Sequence, residues 1–153
     1  MLLFVMRHGH AEPFSKSDET RALTDEGRAE VAAVCRERAS ELAQVKTLWA
    51  SPFVRTRQTA KIVAETFGLD VEVQELLTGD TPVSTLLEAI AEAEESIFPL
   101  MLVGHQPQVG SLVNGLCGSG DEHPMGTASL ACVKADEVWA LDCAELEWLQ
   151  HKP

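Results

Sequence analysis

No run of apolar residues in this chain approaches the roughly 20 that a membrane-spanning helix needs. The opening Leu2-Leu3-Phe4-Val5-Met6 is cut off by Arg7 before it reaches the length of a signal-peptide core. A cytoplasmic protein with no membrane partner is the expectation. Positive charge is also scarce: 12 Lys and Arg stand against 24 Asp and Glu, a formal net charge of −12 with a pI near 4.7. That balance argues against a nucleic-acid partner, because phosphate backbones are gripped by clustered cations. Cysteine occurs only at 35, 117, 132 and 143, with no C-x-x-C pair. Three of these lie in apolar runs and only Cys35 has a cationic neighbour, Arg36, so reduced structural thiols are expected rather than a nucleophile. No repeat, low-complexity tract or Pro/Ser-rich linker divides the sequence. At 153 residues and 45% hydrophobic, residues 1–153 are expected to form one domain with a core large enough to fold alone.

What is present is an alternation of strand-like and helix-like segments, which predicts a three-layer α/β/α sandwich with a mainly parallel central sheet. Residues 2–6 form a continuous apolar run, as in a strand buried on both faces. After a long connection over 7–23, Thr24 can cap a helix with Asp25 and Glu26 in its first turn. Its stripe of Val31, Val34, Cys35, Arg38 and Leu42 ends near Gln44. Thr47 to Ala50 reads as a second strand. Ser51-Pro52 fits N-cap and first helical position ahead of a helix closed by Gly68. Asp70 to Gln74 supplies a third strand, and Thr81-Pro82 repeats the cap signal. Phe98 to Val103 is a fourth strand, turning through Gly104-His105-Gln106-Pro107 into a helix that ends at Gly118. Residues 119–127 read as a loop, followed by closing strands at 129–133 and 138–141 and a tail without a clear pattern.

Ligands of open α/β sheets bind beyond the carboxyl ends of the strands. Four polar groups fall there: His8 after strand one, Arg55 after strand two, Glu75 after strand three and His105 after strand four. Their chemistry suits phosphoryl transfer, which needs cations and oriented donors around the phosphorus and a nucleophile in line. Arg7 and Arg55 can fork onto oxyanions, helix-start amides near Ser51-Pro52 and Pro107 add partial positive charge, and His105 can donate to the transferring oxygens. His8 can attack as neutral imidazole, since an ordinary histidine titrates near pH 6.5, and water can later displace its phosphorylated nitrogen.

Met6-Arg7-His8-Gly9 after a strand resembles the R-H-G signature of the histidine phosphatase (phosphoglycerate-mutase-like) superfamily. Ser51-Pro52-Phe53-Val54-Arg55-Thr56-Arg57-Gln58-Thr59 resembles its S-P-x-x-R-x-x-Q-T stretch, and Val103-Gly104-His105 its second-histidine turn. The short chain and Arg21-Ala22-Leu23-Thr24 narrow the resemblance to the small SixA-type phosphohistidine phosphatases. The resemblance implies that His8 accepts the phosphoryl group, that Arg7, Arg55 and Arg21 bind phosphate, that His105 lies opposite, and that no metal or organic cofactor takes part. The implied partner is a phosphohistidine-bearing protein such as a phosphotransfer domain, with a small phosphorylated molecule as the alternative. Larger relatives place a general-acid glutamate after the third strand. Glu75 is the local candidate, though a one-residue shift would exchange it with the face of Glu72.

Other readings stand beside this one. Arg21 could form surface ion pairs with Asp18, Glu19 or Asp25, and Arg57 fits a solvated helix face. His8, His10 and His105 could supply three imidazoles to a metallohydrolase, although flanking arginines would then lack a purpose. A non-catalytic phosphohistidine-binding module could share the pocket. His123, Trp49, Trp139 and Trp148 carry no functional signal.

Overall fold

A computed structural model describes residues 1–118 and 124–153. Strands β1 (Leu2–Arg7), β2 (Thr47–Ala50), β3 (Val71–Val73), β4 (Leu100–Gly104), β5 (Leu130–Ala135) and β6 (Ala144–Gln150) form one sheet in the order β3-β2-β4-β1-β5-β6. β1 to β4 run parallel, while β5 pairs antiparallel with β1, and β6 antiparallel with β5. Helices α1 (Asp25–Glu37), α2 (Ala39–Leu42), α3 (Val54–Phe67), α4 (Val83–Glu92) and α5 (Gln108–Cys117) cover both faces.

The period of two along each strand divides the core. Phe4 and Met6 of β1, Met101 and Val103 of β4 and Leu130 and Cys132 of β5 pack under α1 and α3. Leu3, Val5, Leu100, Leu102, Ala131 and Val133 face Leu86 and Ile90 of α4 and Val109, Leu112 and Val113 of α5. Strands β1 and β4 are flanked on both sides in the sheet and covered on both faces, which is why their sequences are apolar without interruption.

Several elements differ from the sequence expectation. Thr24 does cap α1, accepting from the Gly27 amide at 2.9 Å, but the expected single helix breaks at Arg38 (φ −115°, ψ 26°). There the Arg38 guanidinium lies 3.9 Å over the Trp148 ring and its Nε donates to Gln150, contacts from β6 that local helical pattern does not foretell. The predicted cap at Ser51-Pro52 is displaced: α3 starts at Val54, because Phe53 keeps an extended backbone (φ −63°, ψ 150°) and takes the N-cap position. Pro82, not Thr81, occupies the N-cap of α4, without a side-chain bond.

Residues 138–141 are not a strand. Val138 and Leu141 are exposed, while the buried Trp139 stacks on Phe98 with centroids 5.5 Å apart. The last strand is instead β6, in the patternless tail. Its pairing slips between Cys132↔Trp148 and Val133↔Leu146, so Leu146 joins one core and Trp148 the other despite standing two residues apart. The predicted loop over 119–127 falls partly, and His123 wholly, outside the described residues. Among the described residues, no helix is long and apolar enough to cross a membrane.

Candidate active site

The carboxyl ends of β1, β2 and β4 deliver Arg7-His8, Ser51 and His105 to one rim at the middle of the sheet. The backbone around His8 is tied from several sides. Its amide donates to Gly104 O at 3.1 Å and its carbonyl accepts from Ala128 N at 3.0 Å, while Arg7 N donates to Ser129 O at 3.0 Å. Ala128, buried at φ 61°, holds a left-handed conformation that costs an alanine on the order of 1–2 kcal/mol. The next turn leans on α1: a Cβ on Gly27 would collide with the His10 carbonyl oxygen, so only glycine lets the helix start dock there.

Residues of the arginine stretch hold this loop in place. Gly9 N donates to Thr59 Oγ1 at 3.1 Å, and Leu23 N donates to Gln58 Oε1 at 2.7 Å. The Q-T pair thus clamps both ends of the connection that follows β1, while Arg55, one turn earlier on α3, turns toward the histidines.

His8 and His105 are 7% and 5% exposed, with ring centroids 5.4 Å apart. His8 Nδ1 lies 2.7 Å from Gly9 O; a carbonyl only accepts, so Nδ1 carries the proton and Nε2 keeps its lone pair. Arg55 Nε donates to that Nε2 at 3.3 Å. Burial, followed by the charges of Arg55, Arg7 and Arg21, outweighs the Gly9 hydrogen bond and pulls His8 down to about 4. Burial and the Arg55 charge bring His105 to about 3. Both rings are therefore neutral at pH 7.

Ser51, fully buried, sits with Oγ 2.8 Å from His105 Nε2. Its oxygen also accepts from Phe53 N at 3.3 Å, and among the described residues Nε2 is the acceptor within reach of the buried hydroxyl proton, which assigns that proton to the bond with Nε2. His105 Nδ1 then bears the N–H, and that atom is buried without a partner among the described residues, as is Arg7 Nε. Arg7 NH1 is anchored on Met125 O at 3.1 Å. Such unpaired buried donors are costly unless something accepts from them.

Arg21 approaches Arg55 through a shared carboxylate, not through the histidines: Asp18 Oδ1 accepts from Arg21 Nε at 2.9 Å, and Asp18 Oδ2 from Arg55 NH2 at 3.1 Å. Arg55 NH1 also donates to Asp18 O at 2.7 Å, and Arg21 NH1 to Glu12 O at 3.1 Å. Asp18 opens a short 3-10 turn (Asp18–Thr20) and was expected only as a surface ion-pair partner; an acidic residue in a loop carries no sequence signal for this bridge.

Glu75 is exposed at the head of a 3-10 turn (Glu75–Leu77); its carbonyl accepts from Thr78 N at 3.2 Å, and among the described residues its side chain forms no hydrogen bond or ion pair. The register question resolves through Trp49, which pairs with Glu72 across β2 and β3 and donates its Nε1–H to Glu72 at 2.9 Å. His10 likewise turns aside, its Nδ1 2.9 Å from Thr24 Oγ1, and the described residues contain no cluster of three or more His, Cys, Asp or Glu shaped to hold a metal. The cysteines are free; burial pushes the Cys35 and Cys132 thiols up to about 11, against any nucleophilic use. Arg57 makes no contact with the histidine pair and lies on the exposed face of α3.

The arrangement can present a neutral imidazole nitrogen to an electrophile surrounded by two guanidinium groups and an imidazole N–H. A profile of the histidine phosphatase superfamily (branch 1) matches residues 3–79 of the chain. The phosphohistidine phosphatase SixA of Escherichia coli strain K12 is 35% identical over 143 residues, covering 90% of this chain and 87% of that protein. The phosphohistidine phosphatase SixA homolog of Haemophilus influenzae is 32% identical over 130 residues, covering 77% and 78%. A solved structure of the protein histidine phosphatase SixA complexed with tungstate superposes with a TM-score of 0.88 at 28% identity, over 99% of this chain and 97% of that one.

Proposed function

Because the chain belongs to the histidine phosphatase superfamily, we propose that it is a phosphohistidine phosphatase in which His8 Nε2 takes up the phosphoryl group. One observation carries this reading: the His8 tautomer is set by the 2.7 Å bond from Nδ1 to Gly9 O, so the lone pair faces Arg55 beside the second buried histidine. Nε2 attacks phosphorus, and the bond to the leaving nitrogen breaks with its electron pair returning to that nitrogen. Water then attacks phospho-His8, the Nε2–P bond breaks, and inorganic phosphate departs. Arg7 and Arg55 fork onto the equatorial oxygens, and His105 Nδ1–H donates to a third; Arg7 Nε and His105 Nδ1 gain the acceptors they lack. Arg21 contributes at one remove by holding Asp18, which holds Arg55.

Phosphohistidine on a protein, such as a phosphotransfer domain in the cytoplasm, is the substrate this site fits best. Its leaving imidazole can carry a proton of its own near neutral pH, whereas an alkyl phosphate must expel a far more basic group. Glu75, the expected acid, is exposed, and its side chain has no partner among the described residues to hold it against a leaving alkoxide. The test is an alkaline rapid quench after mixing with a phosphohistidine peptide. Alkali-stable, acid-labile phosphate should map to His8, and His8→Ala should abolish both the trapped species and turnover; activity within tenfold of wild type in that variant overturns the assignment.

A further inference from the structure

We propose that Asp18 touches the leaving group, accepting a hydrogen bond from the distal ring N–H of the substrate's phosphohistidine and thereby selecting an imidazole over other leaving groups. The proposal rests on the phosphohistidine reading above. In-line displacement puts the leaving group opposite the attacking nitrogen. The His8 side is closed by its own loop, by Thr59 and by Arg55, so the leaving group sits toward solvent. Asp18 stands there. A single guanidinium, that of Arg55, separates its carboxylate from His8 Nε2, and its side chain is 61% exposed although both oxygens are also bonded to arginines. Beside it opens a cleft of about 330 Å³ lined by Pro13, Phe14, Ser15, Ser17, Asp18 and Arg21, with room for an imidazole ring and its backbone.

The carboxylate can accept a proton-bearing group but cannot supply a proton. Burial pulls Asp18 up, and the hydrogen bonds and charges of Arg21 and Arg55 outweigh it, holding it below the usual carboxylate range. An ionised carboxylate repels an alkoxide or phenolate as it forms. It favours a phosphoimidazole protonated on the distal nitrogen, the form in which the P–N bond breaks readily. The balance is complete within the substrate: the distal N–H keeps its proton, bonded to Asp18, the P–N electron pair returns to the leaving nitrogen, and neutral histidine departs.

The experiment compares kcat/KM for a phosphohistidine peptide and for p-nitrophenyl phosphate in wild type and Asp18→Asn. The variant should lower the ratio of the two values, peptide over aryl phosphate, by at least fivefold, since phenolate departure loses a repulsion while imidazole departure loses its acceptor. A smaller change in that ratio overturns the proposal: equal losses mean that Asp18 only tethers Arg55, and no loss means that it is idle. A wild type inactive on the peptide refutes the phosphohistidine reading itself, whereas an active wild type with an unchanged ratio refutes only the role of Asp18.

Discussion

Replacing Gly27 with alanine tests whether the docking of α1 onto the β1 loop positions His8. Two effects oppose each other. Alanine inside a helix gains roughly 0.5–1 kcal/mol over glycine. Against this, the new Cβ meets the His10 carbonyl oxygen in hard contact, with His10 N at 2.9 Å and His10 C at 3.0 Å, all of them backbone. Overfilling a packed site costs about 1–3 kcal/mol, and backbone cannot swing away as a side-chain tip can, so the upper part of that range applies. The net expectation is a loss of about 1–2 kcal/mol, or roughly 3–6 °C in Tm for a chain of this size. The segment that must yield begins two residues after His8, and misplacement of a nucleophile by about 1 Å can cost on the order of 100-fold; kcat on a phosphohistidine peptide should fall at least tenfold. Gly115→Ala on α5 is the control, because its Cβ would meet only the tip of the exposed Leu141 at 3.3 Å, and it should match or exceed wild-type stability. Thermal unfolding and steady-state kinetics decide the matter: a Gly27→Ala protein as stable as wild type and within twofold of its turnover refutes the reasoning.

Ser51→Ala removes the partner of His105 Nε2 in a fully buried position and should cost about 1–3 kcal/mol of stability with a roughly tenfold loss of turnover. Nitrogen NMR of wild type should find the His105 proton on Nδ1, and an Nε2–H tautomer contradicts the account. The buried histidines make stability depend on pH with a definite sign. His8 at about 4 and His105 at about 3 titrate below the unfolded value near 6.5, so their contribution is complete above pH 6.5 and declines as pH falls toward 4, where the unfolded chain binds more protons. Denaturant midpoints should drop over that window, and less so in His8→Gln; parallel curves for the two proteins speak against a buried neutral His8. Glu75→Gln should leave phosphohistidine turnover within threefold of wild type, since its side chain is solvent-exposed and unpaired among the described residues; a 100-fold loss, about 2.7 kcal/mol, makes it the general acid after all.

Much of the architecture follows from local pattern. The apolar runs of β1 and β4 mark strands buried on both faces, Thr24 and Gly68 mark helix ends through one hydroxyl and one left-handed residue, and the alternation of periods specifies α/β. His8, Arg55 and His105 could be grouped in advance because each lies within a few residues of the carboxyl end of a parallel strand, and parallel strands end on one edge. Other features depend on neighbours distant in sequence. Trp148 and Gln150 hold Arg38, where α1 ends, and the Ser51 hydroxyl meets His105, 54 positions away. β6 exists because β5 offers it an edge, and its register slip hides the alternation that would have announced it. Asp18 was invisible as a site residue, since an exposed acid in a loop acquires meaning only when Arg55, 37 positions away, reaches it. The sequence by itself determined periodicity, local turns and which chemical groups sit at strand ends, all set within a few bonds of chain. Tertiary structure decided which of those groups meet, because hydrogen bonds and burial act on distance in space and not on separation along the backbone.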